Sequence, residues 1–168
     1  MFEIGQYIVY GSSGVCKVVD IGKSNLSGMS EDRLYYTLEP CYSQKSRILT
    51  PTDNKKTVMR CLMTREEADD MIDHAQEAEI LWIDNERSRE SEYKNVIAKC
   101  DCYELIRVIK TIYVRKQERV ADGKKVTVSD EKYFKIAEDN LYSELAIVYD
   151  MSRDEAKEYM LKRISRGR

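Results

Sequence analysis

The chain begins with the stretch Met1–Ile21, MFEIGQYIVYGSSGVCKVVDI, which decides the first part of the fold. Its first half places apolar or aromatic side chains at a spacing of two, as in a β-strand with one buried face: Phe2, Ile4, Ile8 and Tyr10. Residues 11–14 read GSSG, and a glycine at each end supplies the positive φ that a tight reversal needs. A second β-prone run, Val15–Ile21, follows. The stretch therefore predicts a β-hairpin.

Further β-prone runs follow within residues 1–62, and all are short: Arg33–Glu39, Ser46–Thr50 and Val58–Leu62. Together with the hairpin they predict four or five antiparallel strands, as in a small β-barrel of the Tudor or SH3 type. Pro51 ends the run Ser46–Thr50, and proline in a sheet is typical of an edge strand. An edge offers unpaired amides and carbonyls to a partner, unless a loop or another domain covers it. The sequence leaves both possibilities open.

The periodicity becomes helical at Thr64, where Thr64 and Glu67 form a capping-box pattern. The apolar spacing predicts five helices: Thr64 to about Leu81, about Ser88 to Lys99, the cap Asp101 to Asp122, the cap Ser129 through Val148, and the cap Ser152 to the basic carboxyl end. We therefore predict an α+β protein with two domains. A small antiparallel β-barrel occupies residues 1–62, and an all-α helical domain occupies residues 63–168.

Charge is distributed unevenly along the 168 residues, which carry a net charge of −2. Residues 1–62 carry +2 and residues 63–168 carry −4. Within the acidic part, a basic window at residues 105–125 holds seven Lys and Arg against two Asp and Glu. The overall negative charge argues against a protein that binds along nucleic acid non-specifically, whereas the basic window leaves room for DNA contact at one place.

The sequence shows no signal peptide and no apolar run long enough for a membrane span. Its five cysteines are an odd number without the spacing of a disulfide framework, which favours a reduced setting. We expect a cytoplasmic protein with no membrane association. Nothing in the pattern suggests a coiled coil, and we expect a monomer.

Few residues have the chemistry for catalysis or metal binding. His74 is the only histidine and lies among acidic residues on a predicted helix, where a surface or packing role is expected. Cys100-Asp101-Cys102 lacks the second ligand pair that zinc sites usually have, which favours buried reduced thiols over a metal site or a thiol sensor. We expect no enzyme activity and no cofactor.

Trp82 is the only tryptophan and lies at the end of the first predicted helix. One interpretation makes it an anchor in the helical core. The other makes it an exposed wedge, of the kind that inserts at a base step in the minor groove. Basic residues that follow could contact phosphates, although interleaved glutamates are equally typical of a solvated helix surface. These bases are Arg87, Arg89, Lys94 and Lys99.

The order and spacing of several short motifs resemble the CarD family of bacterial transcription regulators, whose amino-terminal module also occurs in the transcription-repair coupling factor. In the strand region the motif residues are Phe2, Gly5, Ile8-Val9-Tyr10, Gly14-Val15, Lys17-Val18, Tyr35-Tyr36, Leu38 and Pro51. In the helical region they are Trp82, Leu105-Ile106, Val108-Ile109-Lys110, Ile112-Tyr113, Arg119, Ala137-Glu138, Leu141 and Glu144-Leu145-Ala146. The resemblance covers nearly the whole chain.

The resemblance implies a non-enzymatic transcription regulator with two partners. The β-barrel would bind the β subunit of RNA polymerase through Arg47, Ile48 and Leu49. The helical domain would contact promoter DNA, where Trp82 would wedge into the minor groove and stabilise the open complex. Other candidates for DNA contact, the last two from the basic window, are Arg87, Arg89, Lys94, Arg115 and Lys116.

The chain departs from the family pattern in two places. Family members often carry arginines directly after the tryptophan, where this chain has Ile83-Asp84-Asn85, and an arginine in the strand where it has Leu49. An alternative function is an RNA polymerase-binding adaptor whose helical domain recruits a protein rather than DNA. The acidic excess of residues 63–168 favours that alternative.

Overall fold

The computed structural model describes residues 1–23, 32–42, 47–83 and 85–166. A five-stranded antiparallel sheet is followed by α-helices, which confirms the predicted α+β class. The strands are β1 Tyr7–Tyr10, β2 Val15–Lys23, β3 Leu34–Pro40, β4 Ile48–Pro51 and β5 Met59–Cys61. The helices are α1 Arg65–Asp73, α2 Arg89–Ala98, α3 Cys102–Ala121, α4 Val128–Tyr149 and α5 Arg153–Arg166.

The strand order is β4-β3-β2-β1-β5, so β4 and β5 are the two edges. This confirms the edge position predicted for the run that ends at Thr50; Ser46, the first residue of that run, lies outside the described residues. A small core lies within the sheet region, and its fully buried members are Ile8, Cys16, Val18, Tyr36 and Leu38. Since this core is small, the sheet also depends on its contact with the helices.

The hairpin turn forms as its glycines predict. Gly11 has a φ of 47° and Gly14 a φ of 70°, both in the region that favours glycine. A Cβ added to Gly14 would lie 2.8 Å from the Asn140 Oδ1, because the turn lies directly against α4. Glycine at this position therefore serves both the reversal and the close approach of the two domains.

The predicted start of the first strand is wrong, since β1 begins at Tyr7 rather than at Phe2. The Gln6 amide donates to the Glu3 carbonyl at 3.1 Å, and Gly5 has a φ of 91°. These two features make residues 3–6 a turn. Local turn chemistry thus overrides the alternating apolar pattern.

The capping box at Thr64 and Glu67 is present, but the helix it opens ends at Asp73, so the prediction of a helix to about Leu81 is wrong. A short 3₁₀ turn, Ala75–Glu77, follows, and the chain is then non-helical through Ile83. The fourth predicted helix also begins earlier than expected, because Thr127 rather than Ser129 caps it. The caps Asp101 and Ser152 are confirmed by hydrogen bonds to the amides of the first helical turns.

The larger core lies among the helices, where α3 and α4 pack along their length. Its most buried side chains include Tyr93, Ile112, Leu141 and Leu145. A third, smaller cluster joins the two parts of the molecule: Val9 and Val15 of the sheet pack with Cys100 and with the half-buried Leu62 and Ile147. The sheet and the helices therefore share a buried contact.

Candidate functional site

Trp82 lies on the surface of the helical domain, with 86% of its residue area exposed. It belongs to a non-helical segment, residues 78–83, in which buried or half-buried side chains are interspersed with exposed ones. Ala78 is fully buried, and Leu81 and Ile83 pack against the helical core, whereas Ile80 is 48% exposed. The interpretation of Trp82 as a core anchor is therefore wrong, and so is its predicted place at a helix end.

Three side chains of α3 fasten the segment that leads to Trp82. Lys110 donates from its Nζ to the Gln76 and Ala78 carbonyls at 2.8 and 2.5 Å. Arg107 donates from its Nε to the Glu79 carbonyl at 3.1 Å, and the Leu81 amide donates to the Thr111 Oγ1 at 2.8 Å. The tryptophan is thus presented on a backbone that is already ordered.

Helix α5 binds the part of the chain just before this segment, at Gln76 and on α1. The Gln76 side-chain amide donates to the Ile164 carbonyl at 2.7 Å. Arg163 pairs with Asp69 and Asp73 of α1, and the Tyr149 hydroxyl donates to Asp69 at 2.7 Å. The hydrogen bond from Tyr149 and the Arg163 guanidinium lower the pKa of Asp69 below its usual value. These contacts hold α1 in place just before the Trp82 segment.

A shallow depression of about 170 Å³ lies beside Trp82 and brings two of the candidate bases, Arg89 and Arg115, next to it. Both guanidinium groups are engaged by acids. Arg115 bonds to both Glu86 oxygens at 2.5 and 2.7 Å and to Asp130 at 2.8 Å. Arg89 donates to Glu86 at 3.0 Å, while its buried Nε has no hydrogen-bond partner among the described residues.

The remaining candidate bases do not line this depression. Arg87 is exposed. Lys94 on α2 is 64% exposed, and its Nζ lies 3.8 Å from a Glu90 oxygen. Lys116 on α3 lies against α4, with its Nζ 4.2 Å from the centroid of the Phe134 ring.

Most of the arginines and lysines in the basic window at residues 105–125 bind other groups of the same chain. Arg107 and Lys110 bind the backbone before Trp82, and Arg115 binds acids. Arg119 donates from its Nε to the Lys125 carbonyl at 2.8 Å. The sequence left room for DNA contact in this window, and the structure shows that many of its basic side chains are engaged in hydrogen bonds within the chain.

The three residues implied at the polymerase lie together on one edge of the sheet. Arg47 is exposed just before β4, and Ile48 and Leu49 are half-buried within it. β4 pairs with β3, with Ile48 opposite Leu38 and Leu49 opposite Thr37. No other described strand pairs with β4, which places it at one edge of the described sheet.

The joint between sheet and helices contains a polar cluster that the sequence analysis missed. Arg60 of β5 forms an ion pair with Glu144 of α4, whose side chain is only 2% exposed. Burial raises the pKa of the Cys102 thiol, which donates to Glu144 at 3.0 Å. A signal was present in the sequence, because Glu144 falls on the same apolar stripe of α4 as Leu141 and Leu145, and a charge there requires a partner.

Other chemistry is sparse in the described parts of the chain. Cys100 and Cys102 are buried thiols, as predicted, and His74 is half-exposed beside Asp70. Within the described ranges, no group of three or more His, Cys, Asp or Glu residues could hold a metal ion. The described helices also include none with the length and apolar content needed to cross a bilayer.

Comparison with known families assigns both halves of the chain. Residues 2–63 match the family model of the CarD-like/TRCF RID domain, and residues 72–161 match that of the CarD C-terminal domain. A comparison with curated proteins finds no match. Because the two matches follow each other in order and together span nearly all of the sequence, the chain belongs to the CarD-like family of transcription regulators that interact with RNA polymerase.

Proposed function

We propose that this protein stabilises the promoter open complex by holding RNA polymerase and promoter DNA together. The edge strand β4 binds the β subunit of the polymerase. The helical domain contacts DNA at the upstream edge of the melted region, where Trp82 wedges into the minor groove. The observation that carries the proposal is the 86% exposure of Trp82 on a backbone segment fastened to α3.

The arrangement around Trp82 suits insertion. Partial unstacking of a base step costs a few kcal/mol, so a wedge must not lose further free energy by becoming ordered when it binds. The hydrogen bonds from Lys110 and Thr111 supply this order in the unbound protein. Because the segment is already ordered, contacts between the exposed indole and DNA contribute to binding without a further entropy cost for the backbone.

The candidate bases divide into two groups by their partners. Arg87 and Lys94 are exposed and close in sequence to Trp82, and we assign them to phosphate contact. Arg89 and Arg115 bind Glu86 beside Trp82, and we assign them to support of the depression. Lys116 covers Phe134, and its long side chain leaves the ammonium near the surface for a further phosphate contact.

Tethering explains how a chain with a net charge of −2 engages DNA. A protein bound to the polymerase reaches the promoter at an effective local concentration on the order of millimolar. A few weak contacts are then enough. About 1.4 kcal/mol of extra stabilisation shifts the ratio of open to closed complex tenfold.

The polymerase contact rests on the edge position of β4. An edge strand binds a partner through backbone hydrogen bonds, and flanking side chains give specificity. Arg47 offers an exposed positive charge there. Pull-down with purified polymerase tests this contact: the wild-type chain is expected to be retained and Arg47→Glu to be lost, whereas equal retention contradicts the assignment.

Photocrosslinking tests the DNA contact. A photoreactive amino acid at position 82 is expected to crosslink to promoter DNA at the upstream edge of the bubble, and only when polymerase is present. Val128 is the matched control position, because it is 82% exposed, at the start of α4. Equal DNA crosslinking from both positions, or none from position 82, contradicts a wedge at Trp82.

An adaptor function is the second candidate. Glu86 pairs with both Arg89 and Arg115 next to Trp82, and Asp130 also pairs with Arg115, so the surface around the indole is less basic than a DNA site usually is. On this account, the Trp82 surface binds a protein. The same crosslinking experiment separates the two, since a protein crosslink without a DNA crosslink supports the adaptor.

A further inference from the structure

The joint between the two domains contains an ion pair in which Glu144 is buried and Arg60 is partly exposed. Neither residue belongs to β4 or to the depression beside Trp82. Arg60 in β5 donates two hydrogen bonds to the Glu144 carboxylate in α4, at 2.6 and 2.7 Å. The two residues are 84 positions apart in the sequence. The pair therefore connects the sheet directly to the helical domain.

The same two side chains hold the other polar groups of the joint. Arg60 donates from its Nε to the Cys100 carbonyl at 2.7 Å. Glu144 accepts from the Met63 amide at 2.9 Å, in the connection between β5 and α1. Burial lowers the pKa of Arg60, but the hydrogen bonds and charge of Glu144 outweigh this and raise it overall. A rotation of one domain against the other would break several of these bonds at once.

We propose that Arg60 and Glu144 are positioning residues that fix the orientation of the helical domain relative to the β4 edge. The proposal deepens the proposed function and rests on it, because the orientation matters only if β4 and Trp82 engage partners at the same time. A tether raises local concentration only when its geometry allows both contacts together. If the joint loosens, Trp82 samples many positions and occupies the productive one less often.

The orientation is measured first in the unbound full chain, from residual dipolar couplings of the backbone amides. In the wild-type chain, both domains are expected to fit one alignment tensor. Arg60→Met combined with Glu144→Met removes the ion pair without leaving a buried charge unpaired. In this double variant, the two domains are expected to require two different tensors. A single tensor that fits both domains of a folded double variant overturns the proposal.

Arg163→Met is the matched control. Arg163 binds two carboxylates where Arg60 binds one, and its side chain is 29% exposed, the same fraction as for Arg60. Its partners Asp69 and Asp73 lie on α1, so its ion pairs stay within the helical domain. This variant is expected to keep one tensor. Separate tensors in Arg163→Met would show that general destabilisation, rather than the joint, sets the orientation, and would overturn the proposal.

The functional readout is the lifetime of the promoter open complex with polymerase. The double variant is expected to shorten the lifetime by about threefold or more, while its affinity for polymerase stays within about twofold of wild type. An unchanged lifetime alongside two tensors overturns the proposed role of the joint. If Trp82→Ala also leaves the lifetime unchanged, the proposed function fails as well, whereas the alignment measurement still decides whether the ion pair fixes the domains.

Discussion

The Leu81 amide donates a 2.8 Å hydrogen bond to the Thr111 hydroxyl, which donates in turn to the Arg107 carbonyl at 2.6 Å. Leu81 directly precedes Trp82, so helix α3, thirty residues further along the chain, fixes the backbone that carries the indole. The side chain of Leu81 packs inward against the helical core. The next side chain, that of Trp82, is 86% exposed.

Thr111→Val is expected to loosen this segment. Valine has nearly the shape of threonine, but it leaves the Leu81 amide without its acceptor, which costs about 1–3 kcal/mol for a buried group. Urea unfolding measures the loss of stability, and hydrogen exchange of the Leu81 amide measures the local effect. Thr111→Ser keeps the hydroxyl and is expected to retain the slow exchange. Equal exchange rates in wild type and Thr111→Val would contradict the role assigned to Thr111.

Arg115 and Lys94 are expected to fail in different ways when they are changed. Arg115→Met leaves Asp130, which is fully buried, without its ion-pair partner, and is expected to cost about 3–5 kcal/mol in urea unfolding.

Lys94→Ala is expected to change stability by less than about 0.5 kcal/mol, because its side chain is exposed.

The Lys94 change should appear instead in DNA affinity. The logarithm of the DNA affinity falls as the logarithm of the salt concentration rises, and loss of one phosphate contact makes this slope less steep by about 0.9. Lys162→Ala is the matched control, since Lys162 is also exposed and paired with a glutamate one helical turn away, on α5. If the salt dependence becomes less steep by the same amount in both variants, Lys94 makes no specific contact with DNA.

Stability is expected to decrease at alkaline pH because of Tyr142. Burial, with a smaller contribution from Glu138, raises the pKa of Tyr142 to about 12. Since the folded state favours the neutral phenol, the stabilisation is complete below pH 10 and is lost as the pH rises toward 12. Tyr142→Phe removes this ionisation, so its unfolding free energy should fall by roughly 2–3 kcal/mol less than that of wild type between pH 9 and pH 12. Parallel pH profiles would contradict the assignment.

Features that depend on neighbouring residues could be predicted from the sequence. The glycines of the hairpin turn and the caps Thr64 and Asp101 act within a few residues of their own position. The edge position of β4 followed from its length and from Pro51. The order and spacing of the short motifs along the chain were enough to indicate the family.

Features that depend on distant residues could not be predicted in this way. The helical pattern after Thr64 continues beyond Asp73, but the Gln76, Ala78 and Glu79 carbonyls bond to α3 instead of continuing the helix. The exposure of Trp82 is a consequence of those bonds.

The polar joint is a second feature of this kind. Arg60 and Glu144 meet only in the folded chain, and no local pattern pairs them. The partners of the basic window could not be predicted either. A count of Lys and Arg does not reveal that Arg115 forms ion pairs with Glu86 and Asp130.

The most decisive test of a wedge at Trp82 is the lifetime of the open complex formed with Trp82→Ala. The substitution removes an exposed side chain, so stability and polymerase binding are expected to stay at wild-type values. We expect a lifetime shorter by about tenfold, which corresponds to roughly 1.4 kcal/mol, with partial recovery in Trp82→Phe. A Trp82→Ala complex that binds polymerase normally and lasts as long as the wild-type complex would contradict the account.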